Sequence, residues 1–492
     1  MTEFFRRLAI GVLLGMTALA PACTTVTNPA TGQQEMTAVS PAEEKRIGAQ
    51  QHPQVLAEFG GAYNDPALAG YVDRVGRSLA ANAELPADDF TFTLLDTPVV
   101  NAFALPGGYV YVTRGLLSIL NTEAELAGVI GHEIGHVTAR HGARRQTQGM
   151  FAGILAAGVG ILTGSREAAQ LGQVAAQGYL ASYSRDNERE ADGLGVRYLA
   201  RTGYTTFAMS DSLRAIGRHA DFLARSAGQE AQSFNFLSTH PQTPERVANT
   251  VELARNAQTV PDPRIGRDDY LAATDGMIYG DSPEQGFVRG TSFLHPTIRF
   301  AFQVPDEFTL DNLPSAVMGA DRNGARIIFD QEPDRRNARA GGSMTSYIAN
   351  VWARGARGGQ LEAMTVAGMP AATAVVQMNA GNTAYEARLV AIRFSPDQIF
   401  RFLMAAPARA FRGYDRPFRN TIESFRVLGE REASQLKPLR LRVVTVRRGD
   451  TVESLAASMR IDRMDVARFR TINAMAPDEG VVPGQRVKII SE

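Results

Sequence analysis

Six consecutive residues, Gly131-His132-Glu133-Ile134-Gly135-His136, constrain this chain more than any other stretch. Their chemistry works only on a helix. Four residues apart, His132 and His136 then project from one face about a turn apart and can hold a single metal ion, with Glu133 beside them. In a strand or loop the two rings would diverge. The flanks predict the helix: Thr122 with Glu125 three residues later is a capping-box signature, and Leu126, Val129, Ile130 and Val137 recur at helical spacings.

Neutral imidazoles suit zinc, and a catalytic zinc site keeps one position for water. The metal lowers the pKa of that water, and an adjacent carboxylate can take its proton and hand it to a leaving amine. The implied reaction is hydrolysis of a peptide bond with Glu133 as the base. A third ligand is required, and an acidic pair on a second helix supplies candidates. In Ser184-Arg185-Asp186-Asn187-Glu188-Arg189-Glu190-Ala191-Asp192, Glu188 and Asp192 are four apart on one helical face. One can ligate while the other orients a histidine from behind. By charge alone the same stretch is a solvated helix, with Arg185 and Arg189 as partners.

His132-Glu133-x-x-His136 followed by Glu188-x-x-x-Asp192 resembles the membrane-associated and periplasmic zinc metallopeptidases of the HtpX and BepA type, relatives of the CAAX prenyl proteases. Asn101 to Gly108 (Asn-Ala-Phe-Ala-Leu-Pro-Gly-Gly), Tyr109 to Thr113 and Ser238-Thr239-His240-Pro241 look like that family too. The likeness covers about residues 40–255. It implies a mainly helical zincin-type core with a small sheet, and one zinc ion held by His132, His136 and Glu188. Glu133 would be the base and Asp192 would orient a ligand.

Gly107 and Gly108 permit backbone conformations closed to other residues, and the β-rich run from Tyr109 through Val110 and Tyr111 reads as a strand. If its edge is open, Gly107 to Tyr111 can pair with an extended substrate through backbone hydrogen bonds. His240 precedes a proline and so belongs to a loop or helix start. Three roles are open to it: a fourth zinc ligand at rest, a donor to the oxyanion, or a loop histidine without a role. His141 reads as structural, and His52, His219 and His295 lack ligand spacing.

At 492 residues the chain can bury two or three cores. Basic and acidic residues balance at 51 each with no basic run, which argues against nucleic acid as a partner. Arg6 and Arg7 precede the apolar run Leu8 to Ala20, followed by Pro21-Ala22-Cys23. That is the layout of a signal peptide over residues 1–22, with an apolar stretch too short to span. Cys23, the only cysteine, resembles the lipid-bearing residue of a bacterial lipoprotein box. Thr24 after it favours outer-membrane sorting in a Gram-negative bacterium, with the mature chain in the periplasm.

Residues 23–39 are expected to be a tether. Ser40-Pro41-x-Glu43 and Asp65-Pro66 each open a helix, the second with Leu68, Tyr71, Val72, Val75 and Leu79 on one face. Phe90, Phe92 and Leu94 alternate with threonines as a strand does. Residues 149–164 are apolar but short of the roughly 20 needed to cross a bilayer, and read as a buried or interfacial hairpin.

The peptidase likeness stops near residue 256, and 256–284 are expected to link it to an antiparallel α+β domain at 285–430. Its strands are read at 299–304, 325–329, 372–378 and 389–394, with a helix opening at Ser395-Pro396. Phe418 to Val427 resembles PsbP-like domains. In residues 440–492, Val443 to Val446, the helix face Val452, Leu455, Ala456 and Met459, a second helix near 464–472 and Pro483 to Ile489 give a β-α-α-β order. That order resembles the LysM module and implies binding to peptidoglycan. The whole is an α+β multidomain chain whose expected substrates are unfolded, misassembled or damaged envelope proteins. Two other classes remain open: an envelope chaperone or wall-linked adaptor with a closed metal site, and a peptidoglycan amidase.

Overall fold

The computed structural model describes residues 24–492 apart from 149–182, 228–235, 242–243, 258–259, 340, 356, 382, 460 and 462–463. The expected leader, Cys23 and the apolar stretch 149–164 lie outside the described residues. Two compact units form. The first takes the chain up to Ala57, Gly61–Met277 and Arg440–Ser491; the second is essentially Ile278–Leu439.

In the first unit, residues 24–39 form a hairpin of β1 (Thr24–Thr27) and β2 (Gln34–Thr37), where a tether was expected. Asn28 anchors it, donating from Nδ2 to Glu35 Oε1 at 2.8 Å and to the Ala139 carbonyl at 3.1 Å. Glu35 also accepts from Arg144, and the Thr37 and Thr147 hydroxyls lie 3.2 Å apart. Composition rich in Thr, Gly and Gln gave no hint of these long-range partners.

Helix α1 (Pro41–Glu58) follows, then α2 (Pro66–Ala80). Asp65 caps α2 by accepting from the backbone of Ala67 and Leu68, and the expected face of Leu68, Tyr71, Val72, Val75 and Leu79 is buried. Strands β3 (Thr91–Leu95), β4 (Ala102–Leu105) and β5 (Tyr109–Thr113) make a sheet in the order β3-β5-β4. β5 pairs in parallel with β3 and antiparallel with β4. The substrate edge expected at Gly107 to Tyr111 is therefore corrected: Tyr109, Val110 and Tyr111 lie on the central strand, paired on both sides, and β3 and β4 are the outer strands, with β4 paired on one side only among the described residues. Gly107 and Gly108 form the connecting turn with φ of +82° and +89°.

Short α3 (Arg114–Ile119) leads into α4 (Glu123–Thr138), which carries the histidine motif. Thr122 accepts from Glu125 N as the capping signature requires, and the Glu125 carboxylate accepts from Asn121 N, one residue earlier than the reciprocal bond expected. Every residue of α4 but Val137 is buried. Its glycines make that burial possible. Gly131 and Gly135 lie against Gly195 and Ala191 of α5 (Arg185–Thr202), and Gly128 against the start of α6 (Ala208–Ala227). Helices α7 (Phe236–Thr239) and α8 (Pro244–Ala257) flank His240. The stretch expected to be a linker holds α9 (Arg267–Thr274), whose Tyr270 and Leu271 are fully buried.

The C-terminal β-α-α-β segment belongs to this same unit. Its strands Leu439–Thr445 and Arg486–Ser491 pair antiparallel, with helices Val452–Met459 and Asp465–Ile472 between them. Lys488 is completely buried and donates to the carbonyls of Ser118 at 2.8 Å and Leu120 at 2.6 Å, just ahead of α4.

The second unit holds an antiparallel sheet running through Arg326–Gln331, Gln398–Pro407, Thr383–Ser395 and Met369–Ala380, and a smaller sheet that includes Phe300–Gln303, with helix Phe411–Glu423 sharing a phenylalanine-rich core. The four strands read from the sequence are present. Ser395-Pro396 opens no helix; Ser395 pairs with Gln398 across a tight hairpin turn. Among the described residues, no helix is long and apolar enough to cross a membrane.

Candidate metal centre

Side chains from α4, α5 and the loop after α7 converge in the buried interior of the first unit. Ligand atoms of His132, His136, Glu188 and His240 all lie within 4.8 Å of one another. His132 Nε2 is 3.0 Å from His136 Nε2, 3.6 Å from Glu188 Oε2 and 3.3 Å from His240 Nδ1. Glu188 Oε1 is 3.5 Å from His136 Nε2 and 2.9 Å from His240 Nδ1. A tetrahedron of zinc–nitrogen and zinc–oxygen bonds of roughly 2.0 Å has edges of about 3.3 Å, so this donor set fits one such ion.

Each ring is oriented from behind. His132 Nδ1 lies 2.9 Å from Asp192 Oδ1, which leaves Nε2 turned toward the group. His136 Nδ1 lies 2.8 Å from His141 Nδ1, and His141 Nε2 reaches Glu190 Oε2 at 3.0 Å. Glu133, between His132 and His136 in sequence, has both carboxylate oxygens buried without a hydrogen-bond partner, and Oε1 is 3.6 Å from His240 Nε2.

Electrostatics separate the two glutamates. Burial raises the Glu133 pKa, with His240 and His132 only partly opposing it, which moves this carboxylate toward the range of a useful base. Burial pushes Glu188 the same way, yet His240, His136 and His132 outweigh it and hold the carboxyl well below the usual range. Burial also keeps His136 neutral, the form that can ligate.

Residues 66–254 match the model of Peptidase family M48. Residues 444–489 match the LysM domain. Both parts of the resemblance read from the sequence therefore hold. The beta-barrel assembly-enhancing protease of Yersinia pestis is 33% identical over 218 residues, 42% of this chain and 43% of that protein. The protein of that name from Escherichia coli K12 is 30% identical over 277 residues, 54% of each chain. The mitochondrial metalloendopeptidase OMA1 of Schizosaccharomyces pombe is 28% identical over 221 residues, 44% of this chain and 62% of that one. The chain spans about half the length of the curated relatives it matches first.

Within the M48-matched segment, sequence reasoning missed two residues of the centre. Arg246, on α8, forms an ion pair with Glu188, Nη1 to Oε2 at 2.6 Å, and grips Asp192 through two hydrogen bonds. Six residues beyond His240, it follows no helical spacing from any ligand. Tyr183 stacks on His136 with ring centroids 4.0 Å apart, just before the Ser184 cap of α5. His141, read as structural, sits directly behind His136. His52 instead binds the Tyr111 hydroxyl at 2.7 Å, and His295 Nδ1 accepts from Ile298 N.

Proposed function

We propose that this chain is a zinc endopeptidase in which His132, His136 and Glu188 hold the ion and Glu133 is the general base. The observation that carries the reading is the convergence of those three donors around one point with the partnerless Glu133 carboxylate alongside. Zinc, when bound, supplies Lewis acidity and acidifies a water molecule. Glu133 accepts a proton from that water and delivers it to the leaving amine nitrogen. Asp192 and the His141–Glu190 pair fix the two imidazoles. The outer edge of β4 pairs with an extended substrate backbone through main-chain hydrogen bonds, which by themselves carry no side-chain preference.

The substrates are misassembled or damaged envelope proteins. Relatives named for β-barrel assembly support this, as does the LysM match, which points to peptidoglycan as a second partner. A lipid on Cys23 would hold the protein to the outer membrane from the periplasm. The adaptor reading keeps one observation in its favour: His240 Nδ1 joins the donor group, so the closed arrangement offers a fourth protein ligand where a peptide would enter.

The test is cleavage of unfolded casein by the mature protein, with and without chelator, beside Glu133→Gln. Zinc retained and cleavage lost in the variant supports the enzyme. Indifference of both to chelator removes it. Co-sedimentation with purified sacculi, lost when residues 440–492 carry disruptive changes in the exposed loop 476–484, tests the wall partner.

A further inference from the structure

A cleft of about 190 Å³ lies against the metal centre, and His136 and Tyr183 are part of its wall. Ala104 and Leu105, the last residues of β4 at the sheet's outer edge, line it as well. A peptide paired along that edge would thus run past the cleft while its scissile bond sits at the metal group. A side chain next to that bond would point into it.

The charges in the wall cancel within the protein. Arg140 donates from Nε to Glu44 Oε2 at 3.3 Å and from Nη2 to the Val39 carbonyl at 2.7 Å, with Nη1 left unbonded, and Lys45 donates to Asp89 at 2.6 Å. Most of the remaining wall is apolar, including Leu85, Leu105, Pro106, Val137 and Ala143. An ionised side chain would lose its water there and enter a wall whose formal charges already balance. An uncharged apolar one gains burial.

The outer wall comes from outside the family match, which begins at residue 66. Thr27 and Pro29 belong to the N-terminal hairpin, and Pro41, Glu44 and Lys45 to the start of α1. Asn28, between the two hairpin residues, is tied to the Ala139 carbonyl one residue past the end of α4. The hairpin is thus fixed to the metal helix.

We propose that this cleft is a specificity pocket seating a leucine- to phenylalanine-sized apolar side chain next to the scissile bond, and that the N-terminal hairpin sets its depth. The proposal rests on the peptidase reading above. It makes cleavage preference a property of residues 24–45 as much as of the M48-matched segment.

The full chain carrying Glu133→Gln and loaded with zinc serves as a non-turnover binder. Fluorescent peptides with Leu, Ala or Glu at successive positions are titrated against it, and against the same protein with Thr27→Trp or Leu105→Lys. Thr27 is exposed, so the tryptophan fills the mouth without touching the core. At one position leucine is expected to bind about tenfold or more tighter than alanine or glutamate. Thr27→Trp should cut that preference to under about threefold, and Leu105→Lys should turn it toward glutamate. Zinc content and melting temperature certify each variant as folded. Identical preferences in all three folded proteins overturn the pocket, as does no binding of any peptide. If casein is cleaved by wild type in the same experiment, the peptidase reading survives that result; zinc-loaded wild type inert on casein removes both.

Discussion

Arg246 clasps Asp192 with two parallel hydrogen bonds, Nε to Oδ2 at 2.7 Å and Nη2 to Oδ1 at 2.8 Å, while its third nitrogen holds Glu188 Oε2. One guanidinium therefore contacts both the carboxylate beside His132 Nδ1 and the one within the candidate donor group. A bare charge argument says that deleting a cation here should tighten zinc. Geometry argues the reverse: two buried carboxylates would lose a rigid fork, and breaking a buried pair costs about 3–5 kcal/mol. Arg246→Gln is expected to weaken zinc binding by about 10–100-fold, with Arg246→Lys intermediate because an ammonium cannot fork. Competition against a chromogenic chelator measures it; unchanged affinity in Arg246→Gln would remove the positioning role.

The glycine turn separates two costs of adding a methyl group. At Gly108, φ is +89° and a Cβ would stand 2.0 Å from the Asp89 carbonyl oxygen. At Gly203, φ is +81° but nothing lies within 4 Å. Gly203→Ala should cost about 1 kcal/mol, the conformational strain alone, whereas Gly108→Ala adds a backbone clash and should cost about 3 kcal/mol or more. Urea denaturation of the two variants decides it. Equal losses would mean that the Asp89 turn yields freely.

The hairpin's hold on the first unit has a proteolytic readout. Arg144 donates to both carboxylate oxygens of Glu35 and, at 2.9 Å, to Glu190 Oε2. The group is about a quarter exposed, so solvent screens part of the attraction. Arg144→Ala should ease local opening by about 1–2 kcal/mol, making glutamyl endopeptidase cut after Glu35 about 5–30 times faster at low protease. A rate matching wild type would show that Asn28 and Thr37 hold the hairpin without help.

What the sequence made legible follows from the range of the interactions involved. Local rules worked: Asp65 before Pro66 caps α2, Thr122 caps α4, and four-residue spacing put His132 with His136 and Glu188 with Asp192 on shared faces. Side chains whose partners lie far along the chain were invisible. Arg246 meets Asp192 across 54 positions, Asn28 meets Ala139 across 111, and β5 became central only because β3 and β4 took both its edges. The turn at Ser395-Pro396 failed for another reason: proline opens hairpin turns as readily as helices, and β-pairing of Ser395 with Gln398 decided between them.

Lys488 joins the LysM-matched segment to the start of the metal helix and gives stability a pH signature. Burial pushes its ammonium down to about 7, with nearby Glu125 only partly opposing the shift. An unfolded lysine keeps its proton to about 10.4, so between those values the unfolded chain binds more protons than the folded one. Stability must then rise with pH from about 7 upward, by at most about 1.4 kcal/mol per unit, and it loses that gain as pH falls back through the folded value. Lys488→Met removes the titrating group and leaves the Ser118 and Leu120 carbonyls without their donor, a cost of about 1–3 kcal/mol for each group left unpaired. The variant should therefore be less stable than wild type at pH 9, with the gap narrowing toward pH 7. Urea midpoints at pH 7, 8 and 9 measure the gap. If it stays constant or widens as pH falls, the buried amine is not the neutral species above pH 7.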